Sequence, residues 1–293
     1  MDEAEFLARR FEEHRTRLRS LAYRMLGSMS EADDAVQEAW LRVSRADADS
    51  IENLGGWLTT VTARVCLNLL RSRSTRREEP LDVHVPDPIV SDERLDPERE
   101  ALLADSVGLA LLVVFDTLTP AERLAFVLHD MFAVPFDEIA SIVDRTPEAA
   151  RQLASRARRR VQGSAALPDV DLERQREVVD AFFRAAREGN FDTLVSLLDP
   201  DVVMRADAGA ARPKLTTVVH GAEAVAGRAL MFANPRAVVR PVLVNGAAGM
   251  LVTLNDRPVS VIGFTVQRDR IAAIDALADP ERLQKLDFTA LED

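Results

Sequence analysis

The chain has 293 residues, 37 basic and 48 acidic side chains, and a formal net charge of −11. This length suits two or three domains that each bury a core, and the acidic balance argues against a general nucleic-acid binder. The single cysteine, Cys66, excludes an internal disulfide and argues against a structural zinc site. The sequence has no apolar run of about 18 residues, and its charged N-terminus lacks a signal core. We therefore expect a cytoplasmic protein with no membrane contact, metal or cofactor.

Residues 5–76 predict helices alone, because they show no strand-like alternation. The first helix is expected from about Glu5 to Met25, and a second begins near Ser30, which resembles a capping box with Asp33. One polar stripe of the second helix includes a leucine, which indicates an acidic-rimmed surface that receives a partner helix. A stray exposed leucine is the alternative. The stripe consists of Asp34, Gln37, Glu38 and Leu41.

A third helix is expected next, and the segment from Gly55 to Arg77 holds five arginines and no acid. One face of this helix combines aromatic, hydroxyl, amide and guanidinium groups, which can stack on bases and hold the phosphates of single-stranded DNA. The face consists of Trp57, Thr60, Arg64, Asn68 and Arg71. For Trp57, a place in the core is an equally good explanation.

An acidic linker is expected from about Glu78 to Asp105. It holds ten acids and two arginines, so its net charge is −8. Its four prolines oppose regular structure. A solvated, disordered tether would explain this composition equally well.

Residues 134–161 have the pattern of a DNA-reading helix-turn-helix: a short amphipathic helix, a tight turn and a second helix rich in arginine. Thr146 can cap the second helix, and Pro147 suits its first turn. One face of that helix offers guanidinium and amide groups suited to guanine and adenine edges in the major groove. This face consists of Arg151, Gln152, Ser155, Arg156 and Arg159. An ordinary solvated helix is the alternative.

The C-terminal part of the chain has a different texture. Residues 172–190 predict a helix that ends at Gly189 and Asn190, and a short second helix follows. Six strand-like runs come after these helices, with clear alternation from Val259 to Val266. Helices followed by a long, curved antiparallel sheet predict an α+β cone.

Three motifs in this order, Asp33–Val43, Gly55–Arg77 and Leu118–Val161, resemble the extracytoplasmic-function sigma factors of the sigma-70 family over about residues 5–165. The C-terminal part resembles a SnoaL-like domain through its element order and the segment His220–Leu230. The resemblance implies two all-α DNA-binding domains, the second a helix-turn-helix, followed by an α+β cone. It also implies an alternative sigma factor that directs core RNA polymerase to promoters, with a role in the stress response. The expected divisions are residues 1–77, 78–105, 106–165 and 170–293.

The same resemblance implies a role for each surface. The stripe from Asp34 to Leu41 would dock on the clamp helices of the polymerase β′ subunit, and the second DNA-binding domain would meet the β flap. The helix from Trp57 to Arg71 would melt and read the promoter −10 element. The helix from Thr146 to Arg160 would read the −35 element, and the linker would thread through the polymerase channel.

The chain further resembles the subgroup of these sigma factors that carry a fused SnoaL-like domain, which has three short signatures. The linker signature corresponds to residues 84–88, the glycine-rich signature to 207–211 and the terminal signature to 279–283. The first lacks its tryptophan, and the second keeps only one glycine and the aspartate, which puts any role of its lysine in doubt. We expect interdomain regulatory roles for Pro86, Asp87, Pro88, Asp207, Asp279, Pro280, Arg282 and Leu283. The tail from Asp279 to Leu283 is expected to reach back to the sigma domains, and a plain C-terminal cap on the sheet is the alternative.

Two explanations of the C-terminal domain stay open at this point. It could regulate the sigma domains in cis, since a tethered domain is present at an effective concentration on the order of mM. It could instead bind a small ligand, or act as an enzyme through Asp207, His220 or Asp275, although no pair of these has a diagnostic spacing. For the whole chain, the alternative is a helix-turn-helix repressor with a ligand-sensing C-terminal domain.

Overall fold

The structure is a computed structural model that describes residues 3–44, 53–76, 83–92, 108–164, 169 and 171–291. Contacts between Cα atoms divide the chain into two compact units. The first comprises residues 1–79 and 114–164, and the second comprises residues 80–113 and 165–293. Within the described ranges, no helix has the length and hydropathy needed to cross a bilayer.

Up to residue 164 the described regular elements are helices, apart from residues 83–92 of the linker, which contain no helix and one two-residue strand. Their bounds are α1 Glu3–Leu26, α2 Met29–Val43, α3 Leu54–Arg76, α4 Leu109–Asp116, α5 Pro120–Phe126, α6 Phe136–Val143 and α7 Pro147–Ser164, with a π-helical turn at Val127–Met131. Helices α1, α2 and α3 pack against one another. The all-helical prediction for the two N-terminal domains is confirmed.

The start of α2 differs from the prediction. Its N-cap is Ser28, whose side chain makes no capping bond. The capping box predicted for Ser30 and Asp33 is wrong, because α2 begins at Met29 and Ser30 lies within the helix. Asp33 instead accepts a hydrogen bond at 2.6 Å from Arg19 Nε on the neighbouring helix, an ion pair that a local motif could not reveal.

Helices α6 and α7 form the predicted helix-turn-helix. Helix α6 ends at Asp144, which adopts the left-handed conformation with φ +56°. Helix α7 begins at Pro147, and Thr146 Oγ1 accepts a hydrogen bond at 3.3 Å from Ala149 N, as the capping prediction required. The side of α7 that packs on α6 is made of small side chains, which lets the two helices approach closely. Its fully buried members are Ala150, Ala154 and Ala157.

The second unit is built on one sheet. The helices are α8 Leu172–Glu188, α9 Phe191–Leu197, α10 Ala222–Phe232 and α11 Pro280–Leu283, and the strands are β1 Val90–Ser91, β2 Leu198–Asp207, β3 Thr217–His220, β4 Val238–Val244, β5 Ala247–Leu254, β6 Arg257–Gln267 and β7 Arg270–Leu277. A short 3₁₀-helix follows at Thr289–Leu291. The described strands lie in the order β1-β4-β5-β6-β7-β2-β3. The predicted α+β architecture is confirmed.

One pair in this sheet runs against the prediction of an antiparallel sheet. Strand β2 pairs in parallel with β7, with Met204 opposite Ile274, while the other pairs are antiparallel. The tight turns of the β4–β7 meander indicate antiparallel neighbours, but no turn joins β2 to β7. Alternation of side chains assigns a strand's faces and says nothing about the direction of a neighbour that is distant in sequence.

Helices α8, α9 and α10 cover one face of the sheet. An aromatic cluster fills the space between helix and sheet: the rings of Phe182, Phe183 and Phe264 lie 5.8–6.0 Å apart in edge-to-face geometry. Such pairs add to the free energy gained by burying the rings. Gln175, also buried, donates to Asp169 O and accepts from Ala248 N at 3.0 Å, which joins α8 to β5.

Residues 83–92 of the linker pack along the second unit. Val90 and Ser91 form β1, which pairs antiparallel with Val244 and Leu243 of β4. Val85 is completely buried. A disordered tether is therefore the wrong interpretation of this stretch; its apolar side chains and its backbone groups find partners on the sheet domain.

Candidate functional site

The guanidinium of Arg282 joins the linker to the sheet domain. Its Nε donates to Asp87 Oδ1 at 2.7 Å, its Nη1 donates to Asp207 Oδ2 at 2.8 Å, and its Nη2 donates to Val85 O. These partners belong to the linker and glycine-rich signatures, and Arg282 belongs to the terminal one. One planar side chain thus brings together three segments that are up to 197 residues apart, a task suited to the rigid fork of arginine.

Asp207 is the buried anion of this junction, with an exposed fraction of 4%. Its Oδ2 also accepts from Val85 N at 3.1 Å, and its Oδ1 accepts from Gly209 N at 3.0 Å. Burial by itself raises the pKa of this carboxyl. The hydrogen bonds from His84, Val85 N and Gly209 N and the charge of Arg282 outweigh burial and lower the pKa to about 2.

We expect the junction to weaken in acid. The pKa of Asp207 is lowered from 3.8 to about 2, so its ionised form contributes stability above about pH 4 that is lost as the pH falls through about 2. The shift corresponds to about 2 kcal/mol. In denaturant unfolding, the difference in free energy of unfolding between the wild type and Asp207→Asn should shrink between pH 4 and pH 2. A difference that stays constant over this range would contradict an ionised Asp207.

Gly209 of the glycine-rich signature lies directly against Asp279 of the terminal signature. Gly209 has φ +76°, and a Cβ there would clash with the Asp279 carboxylate, so this position requires glycine. Asp279 caps α11 by accepting from Glu281 N at 3.0 Å, Pro280 occupies the first turn, and Leu283 is buried. The capped helix therefore holds Arg282 in position.

Two further residues bind the linker and were not identified from the sequence. Asn245 accepts a hydrogen bond at 3.0 Å from Ile89 N through Oδ1 and donates its own N–H to Ile89 O at 2.9 Å. Arg240 donates to Asp92 Oδ2 at 3.1 Å and to Leu291 O. The Asn245–Gly246 pair signals a hairpin turn, but a turn signal does not reveal a partner that is more than 150 residues away.

The three acid–base candidates occupy different places. Asp207 belongs to the junction, and Asp275 is buried beside Arg205 Nη1 at 3.1 Å, where burial raises the pKa of its carboxyl despite that neighbour. His220 lies exposed at the end of β3, opposite Val203. A groove of about 420 Å³ runs between α8 and strands β4 and β5, and none of the three residues lines it.

The predicted −35 face lies on the solvent side of α7. All five of its side chains, Arg151, Gln152, Ser155, Arg156 and Arg159, are exposed. Arg151 also lies over the Phe136 ring, 5.5 Å from its centroid. The structure therefore brings these residues to one surface, opposite the buried alanines.

The predicted −10 face on α3 is divided. Arg64, Asn68 and Arg71 are exposed, whereas Trp57 and Thr60 are half-buried. Within the first unit the exposed part lies beside α6: Arg64 Nη2 donates to Ser141 O at 3.3 Å, and a cavity of about 180 Å³ separates the two helices.

The predicted polymerase stripe is continuous on α2. Asp34, Gln37 and Leu41 are exposed, and the exposed fraction of Leu41 is 40%. Glu38 is half-buried and pairs with Arg42 at 2.9 Å. The stripe therefore combines an exposed apolar side chain with acidic neighbours, the composition expected of a surface that receives a helix.

Comparison with known proteins relates these surfaces to a family. Sigma-70 region 2 matches residues 10–76, and Sigma-70, region 4 matches residues 108–161. The chain is 38% identical over 277 residues to the probable ECF RNA polymerase sigma factor SigI of Mycobacterium tuberculosis, covering 93% of each chain. It is 37% identical over 286 residues to the ECF RNA polymerase sigma factor SigJ of the same species, covering 93% of this chain and 91% of SigJ.

The crystal structure of M. tuberculosis SigJ is similar over almost the full length. It aligns with a TM-score of 0.76 at 32% identity and covers 95% of this chain and 99% of SigJ. The predicted resemblance to the sigma-70 family is confirmed, and SigJ is similar to this chain over almost its whole length. Both relatives carry the names of sigma factors rather than of enzymes.

Proposed function

This chain belongs to the extracytoplasmic-function sigma factors, which bind core RNA polymerase and promoter DNA, and we propose how its surfaces divide that task in the cytoplasm. The α2 stripe Asp34, Gln37, Glu38 and Leu41 docks on the β′ clamp helices. The exposed Leu41 supplies an apolar anchor, and the surrounding acids steer a basic partner. In this scheme residues 1–77 and 106–165 are the DNA-binding domains, 78–105 the linker and 170–293 the cone.

The two arginine-bearing faces read the promoter. Arg64, Asn68 and Arg71 on α3 hold the melted −10 strand, with Trp57 and Thr60 at the more buried end of the same face. The exposed face of α7 enters the major groove at the −35 element, where guanidinium groups recognise guanine and the Gln152 amide recognises adenine. The same domain contacts the β flap.

The cone regulates the sigma domains in cis by holding the linker. The observation that carries this proposal is the junction at Arg282, where a backbone carbonyl and a carboxylate of the linker accept hydrogen bonds from the cone. A linker bound in this way is not available to thread through the polymerase channel. The cone therefore restrains initiation until the linker is released.

This role is mechanical rather than chemical, and we assign no catalytic residue. Asp207 and Asp275, the two candidate acids, are both engaged by arginines. The aromatic rings of Phe182, Phe183 and Phe264 pack against one another between the sheet and α8. A small ligand, if one binds, is expected in the groove beside α8.

In vitro transcription tests the proposal. Core polymerase from a related bacterium would be combined with the full chain, with truncations after Ala166 and after Ala278, and with Arg268→Ala as a control on an exposed turn. The promoter would be selected from a random library. We expect all four proteins to start transcription, and the truncations to do so faster than the full chain and the control. Binding to DNA without transcription by any of them would instead support a repressor.

A separate prediction concerns the −10 face. Arg64→Ala and Asn68→Ala should slow promoter opening while leaving closed-complex binding within about twofold, because these groups meet DNA after strands separate. Stopped-flow fluorescence of a base analogue in the −10 element measures opening. Arg268→Ala serves as the control. Opening at the wild-type rate in both variants would contradict the −10 assignment.

A further inference from the structure

The arginines of α7 are not equivalent. Arg156 and Arg159 are exposed, and neither forms an ion pair among the residues that the structure describes. Arg158 Nε pairs with Asp130 Oδ1 at 2.6 Å, and Arg160 Nη1 pairs with Glu122 Oε2 at 2.9 Å. The two acids come from different elements, the π-helical turn and the N-terminus of α5. Two arginines of this basic helix are thus held by ion pairs within the protein, although Arg160 remains exposed.

The two engaged arginines border the proposed reading face. At 100° per residue, Arg158 lies about 90° to one side of the centre of the face, and Arg160 lies about 110° to the other. The face itself runs from Arg151 to Arg159. Each ion pair therefore stands at the boundary between the buried side of α7 and the side turned to solvent.

The packing of α7 makes such attachments useful. Its fully buried side chains are alanines, which present low ridges to hold the helix against rotation about its axis. Ion pairs on opposite sides resist rotation in both directions. Base recognition requires side chains held to within about 10–20°, so a small rotation would misdirect the guanidinium groups.

Glu122 is the more deeply buried of the two acids. Its exposed fraction is 4%, and its Oε2 accepts from Thr119 N at 3.1 Å and Thr119 Oγ1 at 2.9 Å as well as from Arg160. It therefore completes the capping box of α5 and ties that cap to α7. Thr119 and Glu122 have the spacing of a capping-box motif, but that spacing does not reveal the contact with Arg160.

We propose that Glu122 and Asp130 are positioning residues for −35 recognition, which hold α7 at the rotation that aims its reading face into the major groove. The proposal rests on the proposed function of that face. Neither acid touches DNA; each acts through its arginine. Loss of one attachment reduces the ability to distinguish bases more than it reduces binding to DNA as such.

The test uses the full chain bound to core polymerase. The concentration of this complex that half-saturates transcription is measured on the selected promoter and on promoters with single substitutions in the −35 element. The ratio of the substituted to the selected value defines the discrimination. Glu122→Gln keeps the capping box, since glutamine also serves there, and removes the charge that holds Arg160. Asp130→Asn and Arg158→Gln remove the other pair, and Arg156→Gln is the matched control on the reading face.

We expect Glu122→Gln, Asp130→Asn and Arg158→Gln each to lower discrimination by three- to tenfold. The Asp130→Asn and Arg158→Gln double variant should lower it no further than either single change. Exchanging the charges, with Asp130→Arg and Arg158→Asp together, should restore at least half of the loss. A merely destabilised domain would not be rescued in this way.

Three outcomes would overturn the inference, and they differ from failure of the proposed function. Equal loss on all promoters with Arg158→Gln, and no effect of Asp130→Asn, would make Arg158 a phosphate contact. Additive losses of discrimination in the Asp130→Asn and Arg158→Gln double variant would mean that the two residues act independently. If Arg156→Gln lowers discrimination but neither Glu122→Gln nor Asp130→Asn does, the reading face is correct but the two ion pairs do not position it. If Arg156→Gln itself changes nothing, the reading face is wrong.

Discussion

Arg282→Ala should detach the linker from the cone. The substitution leaves the Asp207 carboxylate buried without its countercharge and removes the contacts to Asp87 and Val85 O. Breaking a buried pair by removing one partner costs about 3–5 kcal/mol, a large part of the stability of a domain. Hydrogen exchange measures the result: the amides of Val85 and Ile89, which bond to Asp207 and Asn245, should lose protection.

Two variants bracket this effect. Arg282→Lys keeps the charge but cannot reach three acceptors with a planar fork, so protection should fall to an intermediate level. Arg268→Ala removes an exposed arginine from the β6–β7 turn and should change nothing at the linker. Amides that stay protected in Arg282→Ala would mean that the strand pairing of β1 and the Asn245 contacts hold the linker without the guanidinium.

Glu38→Lys should weaken binding to core polymerase by at least about 30-fold. The change reverses the charge in the middle of the α2 stripe, and a like charge facing a basic partner costs several kcal/mol. The fold should survive, because Glu38 pairs with Arg42 within one helix and such pairs contribute about 0.3–0.5 kcal/mol. Fluorescence anisotropy of the labelled chain with core polymerase, at two salt concentrations, measures the affinity.

A control must make the same change of charge elsewhere. Glu173→Lys replaces an exposed acid near the start of α8 and should leave polymerase affinity within about twofold. Leu41→Ala tests the apolar part of the stripe and should show little dependence on salt. Equal affinities for the wild type and Glu38→Lys would mean that the docking surface lies on another face.

Local patterns predicted the parts of the fold that depend on local physics. The 3.6-residue period and the Thr146 cap gave the helix-turn-helix, and alternation from Val259 to Val266 gave the central strand β6. The capping box at Ser30 failed because α2 begins earlier and the Asp33 carboxylate is taken by Arg19. The prediction of a wholly antiparallel sheet failed at the β2–β7 pair, because no local signal fixes the direction of a neighbour that is distant in sequence.

The junction was predictable in its members and not in its geometry. The signatures identified Asp87, Asp207 and Arg282, but composition alone fitted a disordered linker equally well. Whether an acidic, proline-containing stretch docks depends on partners far along the chain. Asn245 and Arg240 show the same limit, because a turn asparagine and a strand arginine acquire a role only when β1 lies beside β4.

The short strand β1 also covers part of the edge strand β4 of the cone. Strand β4 would otherwise present unpaired amide and carbonyl groups at Leu243 and Val244, and exposed strand borders template association with other chains. A two-residue strand blunts that border at little cost. In the proposed mechanism, release of the linker to the polymerase would uncover this edge, so the released form would also be the form most prone to aggregate. Selection for easy release is therefore opposed by selection against self-association.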